Sequence, residues 1–267
     1  MPPGRVFVTC ESLVDDLRKL GVQAGQSILL HASLRSLGWV EGGALAVITA
    51  LREVIGRDGT LIAPATTGNN STTSPVYVRR TRGMTARQRR AYRRSMPPFD
   101  PATTPGAGTG LVAECLRTTA GAVRSTHPQS SFAAIGARAG LYMRDHADNC
   151  HLGEDSPLAK LYEAAAWILL LGVGYDSCTA FHLAEYRYTD HPPRRRYSCV
   201  INGDGCCQWW QYEDVVLDAS DFHLIGEALE ATPLVIKGTV GSADATWIPL
   251  RGAVDFASAW LAIHRTT

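Results

Sequence analysis

Residues 27–38 read SILLHASLRSLG, a short apolar run that ends in polar residues. Such a run predicts a buried strand with its carboxyl end near Ala32. Helical spacing follows over residues 44–54, and the run GTLIAP at 59–64 predicts a second buried strand. A strand, a helix and a strand in this order favour a parallel sheet. We therefore expect an α/β domain in which helices are layered on the sheet.

The rest of the chain fits the same class. We expect further helices over residues 11–20, 110–117, 157–165, 176–188, 222–229 and 254–263, and further strands over 131–135, 168–172, 197–201 and 209–212. Residues 66–98 break this pattern and predict a long surface loop or a short helix. A chain of 267 residues suits a single domain, 1–267, whose portion after about residue 197 is less regular.

The formal charge of +1 is the sum of two unlike parts. Eight arginines and no acid lie between Arg79 and Arg94, which leaves 18 basic against 25 acidic residues elsewhere. Basic clusters often bind nucleic acid. This one, inside an insert at about 71–96, has only Tyr77 and Tyr92 as interleaved aromatic residues, and no nucleic-acid-binding motif accompanies it. A solvated helix or a disordered loop is the favoured interpretation.

Several classes of protein and site are not indicated. The start Met1-Pro2-Pro3-Gly4-Arg5 lacks the apolar run of a secretory signal, and no stretch approaches the ~18 apolar residues that cross a bilayer. We therefore expect a cytoplasmic protein without a membrane partner. Seven cysteines without a C-x-x-C pair indicate reduced thiols rather than a zinc site, and no Walker or G-x-S-x-G motif is present.

A glycine-rich turn follows the predicted strand 168–172. Its glycines, Gly172 and Gly174, carry no side chain, so a ligand can approach the backbone there. Asp176 or Ser177 is then expected to cap a new helix.

His182 and Glu185 lie three residues apart on this predicted helix and therefore share a face. A carboxylate beside an imidazole fixes the tautomer of the ring and stabilises its protonated form, as a general base requires. A histidine that only ties the helix to a loop is the alternative.

Three further segments carry polar residues next to predicted strands. The loop at 31–38 lies at a strand's carboxyl end, where ligands of open sheets bind, and its hydroxyls, amides and Arg35 suit a phosphate or pyrophosphate. An ordinary turn is the alternative. His127, in RSTHPQSSFA (124–133), is either a catalytic group or a turn residue, and the turn is favoured. Asp100 either binds a cation or opens a turn, and again the turn is favoured.

Together these motifs resemble the aminoglycoside 3-N-acetyltransferase family, also called the antibiotic N-acetyltransferase family. The likeness covers most of residues 8–190 in family order, in the blocks LHASLRSLG (30–38), GTLIAP (59–64), MPPFDP (96–101), RSTHPQSSFAAIG (124–136), GEDSPLAKL (153–161), LLLGVG (169–174) and HLAE (182–185). The resemblance implies a three-layer α/β/α fold with a mostly parallel central sheet, distinct from the GNAT fold of most acetyltransferases.

The resemblance also assigns expected roles. His182 matches the family's catalytic histidine and Glu185 its partner. The residues expected to bind acetyl-coenzyme A are His31, Ser33, Leu34, Arg35, Ser36, Thr109 and Ser130. Those expected on the acceptor side are Asn69, Asp100, His127, Asp176 and Glu185. Related sequences often have an acid near residue 69, whereas this chain has Asn69-Asn70-Ser71.

The function implied by the resemblance is direct transfer of acetyl from acetyl-coenzyme A to the 3-amino group of a 2-deoxystreptamine aminoglycoside, which gives antibiotic resistance. No metal and no nucleic-acid partner are expected, and a homodimer is left open. One alternative is an enzyme of the same fold that acetylates another amine, such as a biosynthetic intermediate, because the donor motifs are clearer than the acceptor motifs. A protein that binds nucleic acid through Arg79 to Arg94 is the least favoured alternative.

Overall fold

The computed structural model describes residues 7–203 and 206–265. The strands in this part of the chain are β1 (Phe7–Val8), β2 (Ser27–Ala32), β3 (Trp39–Val40), β4 (Thr60–Pro64), β5 (Val123–Arg124), β6 (Phe132–Gly136), β7 (Trp167–Leu171), β8 (Arg194–Gly203), β9 (Cys206–Val215), β10 (Ile236–Val240) and β11 (Ala243–Pro249). The helices are α1 (Cys10–Leu20), α2 (Gly43–Ile55), α3 (Pro75–Thr81), α4 (Ala86–Arg94), α5 (Gly110–Thr118), α6 (Ala139–Met143), α7 (Pro157–Glu163), α8 (Phe181–Arg187), α9 (Phe222–Glu230) and α10 (Leu250–His264). Residues 1–5, on which the expected lack of a secretory signal rests, lie outside the described residues.

A central sheet of seven strands has the order β10-β11-β7-β2-β4-β6-β5. The pairings β7–β2 and β2–β4 are parallel, and the other four pairings are antiparallel. Five of the seven strands therefore run in the same direction, which agrees with the expected, mostly parallel sheet, and β11 and β6 run in the opposite direction. An apolar run predicts a buried strand but not its direction, and β10 and β11 pair through a tight turn at Gly241, whose φ is +59°.

Helices cover both faces of this sheet, which confirms the three-layer α/β/α architecture. Side chains alternate along β2, so Ile28 and Leu30 pack with α1, α2 and α5, whereas Leu29 packs with α6 to α10. All three side chains are buried, and each such burial stabilises the fold by about 1.5–3 kcal/mol. The central strands are thereby held rigidly at the edge where their carboxyl ends meet.

Two local expectations need correction. The predicted helix over 176–188 is a 3₁₀ turn, Tyr175–Ser177, followed by α8, whose cap position is Ala180 without a side-chain hydrogen bond. Neither Asp176 nor Ser177 caps it, because the extended backbone of Cys178 (ψ 85°) interrupts the helix.

The insert forms helices, one of the two structures expected for it, and the C-terminal portion contains both strands and helices. The arginine-rich insert forms the two short helices α3 and α4. β8 and β9, each ten residues long, pair as an antiparallel hairpin. β10 and β11 extend the central sheet, and α10 packs on the face of this sheet that α6 to α9 also cover. Residues 71 and 99 bridge to the hairpin at Cys199 and Ile201, so the insert and the hairpin are neighbours.

The described residues contain neither a membrane-spanning helix nor a candidate metal site. Across residues 7–203 and 206–265, none of the helices has the length and apolar character needed to cross a membrane. In the same ranges no group of three or more histidine, cysteine or carboxylate side chains is arranged to hold a metal ion.

Candidate active site

A cleft of about 570 Å³ lies at the carboxyl ends of the parallel strands β2, β4 and β7. The last residues of β2 and β4 and the loops after the three strands line it. These are residues 30–35, 64, 66, 173, 176, 177 and 179, and residues 108–111, around the start of α5, complete the wall. Five of the residues expected at the coenzyme site line this cleft, namely His31, Ser33, Leu34, Arg35 and Thr109, whereas Ser36 and Ser130 do not.

His31 lies in β2 at the wall of the cleft. The alternation of side chains along β2 directs it to the same face as Leu29, the face that α8 covers. It is only 8% exposed, and its buried Nε2 has no hydrogen-bond partner among the described residues. Burial, together with the charge of nearby His182, lowers the pKa of His31 to about 3. The ring is therefore neutral at pH 7.

His182 and Glu185 form a close pair on α8. Nδ1 of His182 lies 2.6 Å from Oε2 of Glu185, so Nδ1 carries the proton that this hydrogen bond needs. In the neutral ring Nε2 then holds the lone pair, and it makes no hydrogen bond to any described residue. The ring packs against Phe222, at 4.7 Å between ring centres. His182 does not line the cleft itself but lies beside His31, whose pKa its charge lowers.

The C-terminal end of the chain holds the Glu185 carboxylate in place. Glu185 is fully buried, and its Oε1 accepts hydrogen bonds from the Asp218 backbone N–H at 2.8 Å and from Arg265 Nη1 at 2.7 Å. Arg265 also binds the Asp221 carboxylate through two nitrogens, at 2.7 and 2.6 Å. Burial opposes the charge of Arg265, but the bonds to Asp221 and Glu185 raise its pKa above the ordinary value. This cation makes a buried carboxylate tolerable beside His182.

Sequence reasoning missed Arg265, Asp218 and Asp221. Arg265 lies 80 residues from Glu185, and it follows α10 in no motif that marks it. The only feature of the sequence that points to Arg265 is its place as a basic residue at the end of a predicted terminal helix. Basic residues are common at the C-terminal ends of helices, so this feature does not identify Arg265 as part of the site.

The glycine turn after β7 has two different roles. Gly172 has φ +66°, and a Cβ there would lie 2.4 Å from the Cβ of Ser36. Ser36 Oγ instead donates to the Gly172 carbonyl at 3.0 Å, and the Ser33 N–H donates to Leu171 O at 2.9 Å. Gly172 therefore makes room for the 33–36 loop rather than for a ligand. Gly174 has open space around it, as the prediction required.

The predicted acceptor-side residues do not all lie together. Asp176 lines the cleft and faces His223 Nδ1 at 3.8 Å. Asn69 and Asp100 are exposed outside the cleft lining. Asp100 Oδ1 accepts the Ala102 N–H at 2.8 Å, and this bond is the main reason that the pKa of Asp100 is lowered. Asp100 thus closes a turn.

His127 is completely buried, and its polar atoms are engaged. Its Nδ1 accepts the backbone N–H groups of Gln129 and Ser130, at 3.1 and 3.0 Å. Its ring packs against those of His146 and His151, with 4.9 and 4.7 Å between ring centres. His127 therefore organises the turn that contains Ser130, and its predicted contact with the acceptor stays a prediction.

The cluster of His127, His146 and His151 is an uncharged part of the core. Ser130 Oγ lies 2.5 Å from Nδ1 of His151, and the Tyr212 hydroxyl lies 2.8 Å from its Nε2. Burial lowers the pKa of His146 to about 4 and that of His151 to about 3, and it also lowers the pKa of His127 well below its ordinary value. No sequence pattern predicts this cluster, because its members come from two separate loops, one before β6 and one before α7.

Comparison with known proteins assigns the chain to one family. The family model of aminoglycoside 3-N-acetyltransferase matches residues 29–262, which include β4, β7, all of β2 except its first two residues, and the residues of the cleft lining and of the His182–Glu185 pair. The chain belongs to the aminoglycoside 3-N-acetyltransferase family. The resemblance drawn from the sequence motifs is thereby confirmed.

Individual members of the aminoglycoside 3-N-acetyltransferase family agree over nearly the whole chain. The YokD protein from Bacillus subtilis is 36% identical over 94% of this chain and 92% of its own length, and its crystal structure matches with a TM-score of 0.90. Aminoglycoside N(3)-acetyltransferase VII from Streptomyces paromomycinus is 35% identical over 95% of this chain and 91% of its own length. The structure of AAC-IIIb with CoASH is 29% identical, covers 96% of both chains and has a TM-score of 0.82.

Proposed function

We propose that this protein transfers acetyl from acetyl-coenzyme A to the 3-amino group of a 2-deoxystreptamine aminoglycoside, which inactivates the antibiotic. The observation that carries the proposal is the His182–Glu185 pair, at 2.6 Å, beside a cleft at the carboxyl ends of parallel strands. The name of the Streptomyces relative and the CoASH bound by AAC-IIIb support the acceptor and the donor.

The cleft suits a long, anionic donor. Arg35 is exposed at its rim without a carboxylate within 4.0 Å among the described residues, so its guanidinium is available to a pyrophosphate. Gly108 also lines the cleft with φ +80° and open space around it, room that a side chain would fill. Ser33, Leu34, Arg35 and Thr109 would hold acetyl-coenzyme A, which supplies an activated acetyl thioester when bound.

His182 would act as the general base. An ammonium group has no lone pair, so the acceptor nitrogen must lose a proton before it can attack a carbonyl carbon. Nε2 of His182 has the free lone pair that takes this proton, because Nδ1 is committed to Glu185. Glu185 stabilises the resulting imidazolium, and Arg265 with the Asp218 N–H keeps the carboxylate oriented toward the ring. As the C–N bond forms, the C–S bond of the thioester breaks, and the imidazolium would return its proton to the departing thiolate of coenzyme A.

His31 would provide a neutral hydrogen-bonding ring at the cleft wall. Its lowered pKa keeps it uncharged, so it does not compete with His182 for the acceptor's proton. A neutral imidazole can donate one N–H to an oxygen on which negative charge develops. We also propose a cytoplasmic location, since this donor is made and kept inside the cell.

An amine other than an aminoglycoside is the second candidate. The observation that favours it is the exposed Asn69, in a stretch where an acidic residue would attract a polycationic acceptor. Of the residues that line the cleft, only Asp176 is a carboxylate.

A thiol-release assay with acetyl-coenzyme A separates these candidates. The panel contains kanamycin and gentamicin, the same compounds already acetylated at the 3-amino group, and simple polyamines. The proposal expects thiol release with the first set and none with the blocked compounds. Release with polyamines alone would support the second candidate, and no release with any amine would contradict both.

A further inference from the structure

A strongly basic face stands apart from the cleft. α4 carries Arg87, Arg89, Arg90, Arg93 and Arg94 within nine residues and buries none of its side chains. Among the described residues, no carboxylate lies within 4.0 Å of the guanidinium of any of the eight arginines in α3, α4 and the turn between them. None of the eight lines the cleft at the strand ends. This charge is therefore neither neutralised within the fold nor directed at the donor site.

The arginines of α4 repel one another. Arg89 with Arg93 and Arg90 with Arg94 are four residues apart, and Arg87 with Arg90 are three apart. Like charges at these spacings destabilise a helix by about 0.2–0.5 kcal/mol per pair. A nine-residue helix is marginal by itself. The capping box of Thr85 and Gln88 nevertheless satisfies the N-terminus of α4. The helix therefore forms in spite of the electrostatic repulsion between its arginines, and an anionic partner would reduce that repulsion.

The hairpin brings aromatic rings to these arginines. The guanidinium of Arg93 lies over Trp209 of β9, at 4.7 Å from the ring centre. Tyr77 of α3 stacks with Tyr92 of α4, with ring centres 6.0 Å apart. A groove of about 470 Å³ lies between these elements, lined chiefly by Tyr77, Arg89, Arg90, Arg93, Arg94 and Trp209. Trp209 of β9 thus adds a third aromatic ring to the two tyrosines of the insert.

We propose that this basic face, formed by α3, α4 and Trp209, binds single-stranded nucleic acid. Guanidinium groups along about 13 Å of helix can neutralise successive phosphates of one strand. Trp209, stacked with Arg93, offers a planar surface for an unpaired base. A small phosphate ligand would need far fewer cations. A bilayer would need apolar side chains to insert, and α4 has only its alanines and one tyrosine. This binding is independent of the acetyl transfer proposed above.

Fluorescence anisotropy of the full-length protein with a labelled twelve-nucleotide oligo(dT) tests the proposal. The logarithm of Kd should rise with the logarithm of salt concentration with a slope near 3, as expected for about four phosphate contacts. Arg89→Gln with Arg93→Gln should reduce this slope by about 1.4, and Trp209→Ala should weaken binding by at least ~5-fold.

A control with the same change of charge makes the result specific. Arg52 and Arg57 lie near the amino end of β4, away from the insert, and Arg52→Gln with Arg57→Gln should leave the slope and the affinity unchanged. All four arginines are exposed, so the arginine variants should fold like the wild type. Thermal melting of each variant checks that it is folded. No binding in 50 mM salt, an equal loss in the control variant, or equally tight binding to polyglutamate or to phosphatidylserine vesicles would overturn the proposal.

Discussion

Mild acid should destabilise this protein strongly, because several histidines are buried in their neutral form. His31, His146 and His151 have pKa values of about 3, 4 and 3 in the folded chain, against about 6.5 when unfolded. The unfolded chain therefore binds more protons below pH 6.5, and the free energy of unfolding falls as the pH falls. The stability that these neutral rings contribute is fully present above pH 6.5 and is lost progressively down to about pH 3–4.

The size of the effect follows from the same values. At pH 5 all three rings are still neutral in the folded chain, whereas in the unfolded chain they are almost fully protonated. Each lowers the free energy of unfolding by about 2 kcal/mol relative to high pH, or about 6 kcal/mol for the three. Domains are commonly stable by only 5–15 kcal/mol. Carboxylates with lowered pKa, such as Glu114 and Asp218, add their effect only below about pH 4.

Urea denaturation at half-unit steps from pH 8 to pH 5 measures this loss. His146→Gln, which lies outside the cleft, should flatten the dependence by about 1.4 kcal/mol per pH unit between pH 6 and pH 5. His264→Gln, at an exposed ring, is the matched control for the loss of one histidine. A wild-type loss below 2 kcal/mol between pH 7 and pH 5, or equal slopes for the His146 variant and the wild type, would refute the reasoning.

Two further predictions concern the support of the site. Arg265→Met leaves the buried Glu185 without its cation, so urea denaturation should show a loss of about 3 kcal/mol and kcat should fall at least ~10-fold, with partial recovery in Arg265→Lys. Unchanged kcat would contradict this role. Gly172→Ala forces a Cβ against Ser36, so KM for acetyl-coenzyme A should rise more than kcat falls, whereas Gly174→Ala, in open space, should leave KM close to wild type. Equal KM values in both variants would show that the 33–36 loop is not held as described.

The parts of the fold that could be predicted are those that depend on residues close together in the sequence. The apolar runs of β2, β4 and β7 were recognisable, and so was the pair His182 and Glu185, because three-residue spacing on a helix brings side chains together. The direction of each strand in the sheet could not be predicted, because an apolar run looks the same for a parallel and an antiparallel strand. The role of Gly172 depends on Ser36 from a distant loop.

The same limit applies to the surroundings of the catalytic pair. Arg265 reaches Glu185 from 80 residues away, and the buried histidine cluster is assembled from two separate loops, with Tyr212 of β9 in contact with His151. Trp209 likewise joins the basic segment only through the hairpin. Contacts between distant residues are fixed by the topology of the sheet and by packing, which no local pattern of residues encodes.

Turnover of the His182→Ala variant tests the central claim most directly. If Nε2 of His182 removes the acceptor's proton, thiol release with the best aminoglycoside should fall at least ~100-fold while the melting temperature stays close to wild type. Glu185→Gln should lower kcat as well, and His264→Ala should have no effect, since that ring is exposed at the end of α10. Near-native turnover in a folded His182→Ala protein would contradict the account.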